Sequence, residues 1–269
     1  MPLVVNSNIF SLNSQRALGT TQSQLKTAME RLSSGLRINS AKDDAAGLYS
    51  VEKLTADIRG QNQAIRNSAD GISLAQVAEG ALGQIANNLQ RMREIAVQSA
   101  NGTIESRSGL QAEMDQLGAE NVRILGTAKF NGVALLSSAS AITFQIGQDA
   151  TDTISVSATN VTGTGVNTSA VVVSSQAQAS GAIASLETAI ENVAVARATF
   201  GAVQNRFDAV ISNLSISVEN TSAARSRIQD ADFALETANL TRAQILQQAG
   251  VAMLAQANAA PQSALALLQ

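Results

Sequence analysis

Apolar positions recur every three or four residues over most of the chain and every second residue over one short stretch. Leu18, Leu25, Met29, Leu32 and Leu36 follow at intervals of seven, four, three and four, with Gln22 in the skipped place. This spacing predicts an amphipathic helix. Ser33-Ser34-Gly35 ends it, and Asn39-Ser40 and Asp43-Asp44 then offer caps for the next one. A far longer pattern begins near Asp44. Leu48, Val51, Ile58, Ile65, Ala69 and Ile72 mark its first half; Ala78, Leu82, Ile85, Leu89, Met92 and Ala96 mark the second in strict four-three alternation. A continuous helix of about 55 residues would be about 80 Å long, and it needs other long helices beside it. Gly71 and Gly80 weaken it, and Asn101-Gly102 ends it. Leu110, Met114, Leu117 and Ile124 predict a further helix that stops near Gly126.

The period then changes. Phe130-Asn131-Gly132 is a turn signal, and Ile142, Phe144 and Ile146, then Ile154 and Val156, alternate with polar residues. These predict a small hairpin or meander joined through 149–152. From Ser137 to Ser180 the chain is dense in Ser, Thr, Gly and Val, as expected of an exposed surface segment. Helical spacing returns at Gln176 and runs through Ile183, Leu186, Ile190, Val193, Phe200, Phe207, Ile211, Leu214 and Val218, with Arg197 and Gln204 in skipped places. A charged patch, Arg225, Arg227, Asp230 and Asp232, precedes the last helix.

The two ends are alike. Ala243 to Gln269 carries no charge, nor does Met1 to Gln15. Apolar or small residues cover most of the circumference of the last helix, so it must be buried. Gln244, Gln247, Gln248, Gln256 and Asn258 interrupt it, and no apolar run approaches the ~20 residues a bilayer needs. Burial by protein remains, so the two ends are expected to pair with each other and with the ends of other copies. The resulting order is symmetric: 1–34 and 235–269 as two halves of an inner helical domain, 35–46 and 221–234 as connectors, and 47–220 as a helical domain with a β region about 130–175. The fold class expected is mainly α: a long antiparallel, coiled-coil-like helical rod, a small β-hairpin region at its tip, and a terminal helix pair.

Composition narrows the chemistry. The 269 residues include no His, Cys or Trp, one Tyr and two Pro, and aromatics are 3%. Without His or Cys there is no Ser-His-Asp triad, no thiol nucleophile and no usual zinc site. No spaced Asp/Glu loop suits calcium, and no cofactor or metal is expected. A net charge of −3 without a basic run makes nucleic acid a poor partner. No basic region followed by an apolar core and cleavage site opens the chain, so export without a cleaved signal peptide is expected.

With these residues in this order, the chain closely resembles bacterial flagellin, the subunit of the flagellar filament. The resemblance covers about 1–140 and 176–269. It rests on SLNSQRAL (11–18), ERLSSGLRINSAKDDAAGL (30–48), LQRMREIAVQSANGT (89–103), KFNGVALL (129–136), ARSRIQDADFA (224–234) and RAQILQQAG (242–250). Only about 40–50 residues separate the helical halves, so a short form without large outer domains is implied. The family implies a non-enzymatic subunit of an extracellular filament used for motility, with an export chaperone and cap and junction proteins as partners. Polymerisation would fall to the inner helices, through Ile9, Leu12, Leu18, Leu25, Ile245, Leu246, Met253, Leu254, Leu265, Leu267 and Leu268. Arg91, Ile95, Gln98 and Glu113 stand where many flagellins are read by a Toll-like receptor, Ile95 replacing a frequent Leu. Sugars would fall on hydroxyls of the exposed region: Ser137, Ser140, Thr143, Thr159, Thr162, Thr164, Thr168 and Ser169. A hook-filament junction protein shares similar ends, and a secreted coiled-coil adhesin would share the helical pattern. An enzyme in the central insert is disfavoured by its length and the missing His.

Overall fold

The computed structural model describes residues 7–137, 141–157, 168 and 170–266, with the backbone alone in 260–266. Five helices carry the fold: α1 (Ile9–Ser34), α2 (Ala45–Ser99), α3 (Ser108–Thr127), α4 (Gln176–Gln229) and α5 (Phe233–Ala266). Between α3 and α4 lie two antiparallel hairpins, β1 (Lys129–Phe130) with β2 (Val133–Ala134), and β3 (Ala141–Gln145) with β4 (Thr153–Ser157).

Helix boundaries follow local chemistry. Asn8 caps α1 by accepting from the Ser11 amide at 3.0 Å, and Gly35 closes it at φ 72°, a conformation glycine adopts without a Cβ penalty. Asp44 accepts from the Gly47 amide at 2.9 Å at the start of α2. Asp232 does the same for α5, taking the Ala234 and Leu235 amides at 2.9 and 3.2 Å. The segment expected as a connector over 221–234 is helical through Gln229 and again from Phe233. Only Asp230–Asp232 separates α4 from α5, because Ser222 to Gln229 holds no breaker. Asn131 at φ 47° and Gly132 at φ 82° form the two-residue turn of β1–β2, as the Asn-Gly pair anticipates.

The chain divides into two compact units, Met1–Ala56 with Asn220–Gln269, and Asp57–Glu219. In the second, α2, α3 and α4 enclose one apolar cluster. Leu82, Ile85, Leu89, Met92 and Ile95 of α2, Met114 of α3, and Leu186 and Phe200 of α4 are all at 0–1% exposure. The β3–β4 hairpin lies against the first half of α2. Asn67 Nδ2 donates to the Gln145 carbonyl at 2.8 Å, Phe144 meets Phe207 edge-on with centroids 5.5 Å apart, and Ile154 and Val156 point into the cluster. A Cβ on Gly71 would fall 2.6 Å from the Phe207 ring, so glycine makes room for that aromatic pair. Ser68, not Ala69, faces inward here; its hydroxyl is satisfied by the Ala64 carbonyl at 2.8 Å.

The first unit is built differently. Helices α1 and α5 run antiparallel, and the segments next to them are tied by a bridge between Leu36 and Asp230. Arg37 and Ala231 reinforce it, through Arg37 N to the Gln229 carbonyl at 2.6 Å and Ala231 N to the Gly35 carbonyl at 2.9 Å. Asp43 accepts from the Ser40 hydroxyl and amide and from the Asn39 amide, and these bonds hold its carboxyl below the ordinary value.

Candidate assembly surface

The seam between α1 and α5 is a heptad in which small residues alternate with leucines. On α1 the inward positions are Ser11, Ser14, Leu18, Thr21, Leu25, Ala28 and Leu32; on α5 they are Glu236, Leu240, Ala243, Gln247, Gly250, Leu254 and Ala257. Both sets alternate by three and four residues, the periodicity of a coiled coil. Thr21 and Ala28 occupy the places expected for Gln22 and Met29, and those two are exposed, Met29 by 56%. Small side chains let the helices approach closely: a Cβ on Gly250 would sit 3.3 Å from the Leu18 side chain. Two polar contacts fix the register. Asn8 Nδ2 donates to the Ala257 carbonyl at 2.6 Å, and Arg31 donates to the well-buried Glu236 carboxylate at 2.9 Å.

A seam filled this way leaves the apolar bulk outside. Ile9, Phe10 and Leu12 on α1 and Phe233, Leu235, Ile245, Leu246, Val251 and Met253 on α5 are exposed by 46–63%. Leu18, Leu25 and Leu254 are half-buried in the seam; the side chain of Leu265 and all of Leu267 and Leu268 lie outside the described residues. Phe233, Thr237, Thr241 and Ile245 line one open strip along α5, flanked by Ala234, Ala238, Arg242 and Leu246. A soluble monomer rarely presents so long an apolar surface unless something covers it. No helix among the described residues is long and apolar enough to cross a membrane.

Residues 5–141 match the bacterial flagellin N-terminal helical region and residues 183–268 the C-terminal helical region. The flagellin of Halalkalibacterium halodurans is 43% identical over 272 residues, covering 99% of this chain and all of the relative. This chain belongs to the bacterial flagellin family. The flagellar filament 33 kDa core protein of Treponema phagedenis is 40% identical, covering 99% of this chain and 100% of that one. The flagellin of Bacillus subtilis is also 40% identical, covering 98% and 99%. Among solved structures, Bacillus cereus flagellin matches with a TM-score of 0.50 at 34% identity, over 60% of this chain and 94% of that one. A putative hook-associated protein of Vibrio parahaemolyticus shares the fold at 16% identity and a TM-score of 0.61, over 70% and 100%. The protein is a short flagellin, a structural subunit of the flagellar filament.

The other expected sites of this flagellin fare unevenly. Arg91 and Gln98 are exposed on α2 and Glu113 half-exposed on α3. Arg91 Nε binds Glu113 at 2.8 Å and its Nη1 binds Glu94 at 2.9 Å, and the two carboxylates raise the guanidinium's pKa. Ile95 does not share that face. It is fully buried in the α2–α3–α4 cluster, because four residues beyond Arg91 the helix has turned about 40° toward the core. Of the hydroxyls expected to carry sugars, Ser137 and Thr143 are exposed, Thr143 within 3.2 Å of Ser155 Oγ. Thr168 is not available: it is 2% exposed, and its Oγ1 takes a hydrogen bond from Asn121 Nδ2 at 3.2 Å. Ser140, Thr159, Thr162, Thr164 and Ser169 lie outside the described residues. Sequence periodicity missed the Asn88–Asn121–Thr168 chain altogether, since polar residues inside a helical pattern read as surface.

Proposed function

We propose that the outward faces of α1 and α5 are the contacts between copies in the filament. The observation that carries this is the large apolar side chains left outside the terminal pair, whose own seam is closed by small residues and half-buried leucines. Each large side chain covered by a neighbour contributes about 1.5–3 kcal/mol. The absence of charge from Ala243 to Gln269 removes the desolvation cost that would oppose such burial. The contact is between different faces of successive copies, and such heterologous contacts give open helical polymers when the rotation does not close. Before assembly the same strip is what an export chaperone would cover, and at the filament ends it is what cap and junction proteins would meet. The test is electron microscopy of the chain lacking 243–269, with filament seeds in a salting-out buffer. The full chain is expected to grow tubes of uniform width and the truncated chain none, while unit 57–219 keeps its helical circular dichroism. Tubes from the truncated chain would overturn the assignment.

Arg91, Gln98 and Glu113 form the surface we assign to Toll-like receptor recognition, with Ile95 acting only as core beneath it. The exposure of these three residues on adjoining helices supports this. Arg91→Ala is expected to weaken receptor binding by the soluble monomer; an unchanged affinity would remove the assignment. Ser137 and Thr143 are the hydroxyls open to a sugar, read by intact-mass analysis of protein from its own cell.

A further inference from the structure

Sulfur is distributed unevenly over the molecule. The chain holds five methionines and no cysteine or tryptophan, so its thioethers are the side chains that a peroxide oxidises first. Met92 on α2 and Met114 on α3 have no exposure inside the apolar cluster, and Asn121 Nδ2 donates to the Met92 sulfur at 3.6 Å. Met29 on α1 and Met253 on α5 are exposed by 56% and 62%. Both stand beside the seam, Met29 just after the inward Ala28 and Met253 just before the inward Leu254. Met29 shares an open strip of α1 with Gln22, Leu25, Lys26 and Glu30. Met1 lies outside the described residues.

We propose that Met29 and Met253 are oxidation sites whose state decides whether a free subunit can join the filament. The inference rests on the outward faces of α1 and α5 being the contacts between copies. A sulfur lone pair attacks one oxygen of hydrogen peroxide, the O–O bond breaks, and that oxygen stays on sulfur while the other leaves as water. Sulfur is oxidised by two electrons and the peroxide is reduced by two. The product is a polar sulfoxide in place of a flexible apolar side chain. On the free subunit water hydrogen-bonds the new oxygen. Beneath the apolar side chains of a neighbouring copy that water is lost, so joining carries a desolvation cost that the thioether does not. Met92 and Met114 have no contact with solvent, so the fold of the unit 57–219 stays outside this chemistry.

The test treats the full-length monomer with hydrogen peroxide dosed to oxidise a minority of chains, and reads sulfoxide at each methionine by peptide mass spectrometry. Met29 and Met253 are expected to react roughly tenfold or more faster than Met92 and Met114. The partly oxidised pool is then grown from filament seeds. Sulfoxide at Met29 and Met253 is expected to be depleted about tenfold in the filaments relative to the chains left in solution. A chain carrying Met29→Leu and Met253→Leu keeps the apolar bulk and is expected to grow equally before and after peroxide. Core methionines that react as fast as the exposed pair would overturn the proposal, as would a double variant that loses growth on peroxide as the parent does. Equal sulfoxide in filaments and solution, with the chain lacking 243–269 still unable to grow, would overturn this inference alone. Growth of that truncated chain would overturn the assembly reading beneath it.

Discussion

The α2–α3–α4 bundle and the α1–α5 pair draw on the same residues, Ala, Leu, Ile and Met at helical spacing, and place them oppositely. In the bundle Leu82, Ile85, Leu89 and Met92 point inward and their exposure is nil. Among the described residues of the unit 57–219, the exposed large apolar residues are valines, Val77, Val97, Val122, Val133, Val172 and Val195, and one isoleucine, Ile216. In the terminal pair the fully buried apolar side chains of α1 and α5 are Ala28 and Ala243, among the described residues, while Phe10, Phe233, Ile245 and Met253 face outward. One region is finished as a folded unit. The other has a closed backbone and an open apolar surface, which the proposed filament contacts would cover. Ordering such a helix costs conformational entropy, so under the proposed contacts assembly would add to the folding of the terminal pair.

The contrast can be broken by mutation. Leu89→Ala in the bundle leaves a cavity in a close-packed cluster and is expected to cost about 2–5 kcal/mol, read by denaturant unfolding of the monomer. A cost below about 1 kcal/mol would mean that the cluster is not the stabilising core. Next comes Ile245→Ala with Leu246→Ala. Both side chains are exposed in the single chain, so monomer stability should stay within about 0.5 kcal/mol for each. The concentration needed for polymer growth should rise by tenfold or more, since each lost burial removes at least about 1.5 kcal/mol per contact. A large fall in monomer Tm with normal polymerisation would reverse the roles given to the two regions. Charge has the smallest effect, and it is read most simply on α3. On α3, Arg123 binds Glu120 through two bonds of 2.7 Å and holds its carboxyl below the ordinary value. A depressed carboxylate adds stability that is complete above its unfolded pKa and is lost as pH falls through the folded one. An NMR titration should therefore place the Glu120 midpoint low, and Arg123→Gln should return it to the normal range. The effect on Tm should be slight for so exposed a pair.

How much of this was legible beforehand depends on whether the information is local. Four-three spacing from Ala78 to Ala96 marked the buried face of α2 residue by residue, because a helix's own geometry decides which side chains share a face. Asn131-Gly132 and Gly35 marked a turn and a helix end, because positive φ is a property of single residues. The uncharged termini marked helices with no charge to oppose burial, because charge cannot be buried cheaply. Periodicity could not say which of two neighbouring stripes faces the partner. Met29 and Ala28 fit equally well, and the close approach of α5, with Gly250 under Leu18, chose the smaller. Ile95 was drawn onto the Arg91 face for the same reason, and three-helix packing took it inside. The placing of β3–β4 against Asn67 and Phe207, and the burial of Thr168 under Asn121, join residues 47 to 78 positions apart or more. The sequence by itself determined the helices and most of their ends, both set within a few turns of chain. Only the tertiary structure decided which side chains form each seam, since that choice rests on the shape of the surface brought against them.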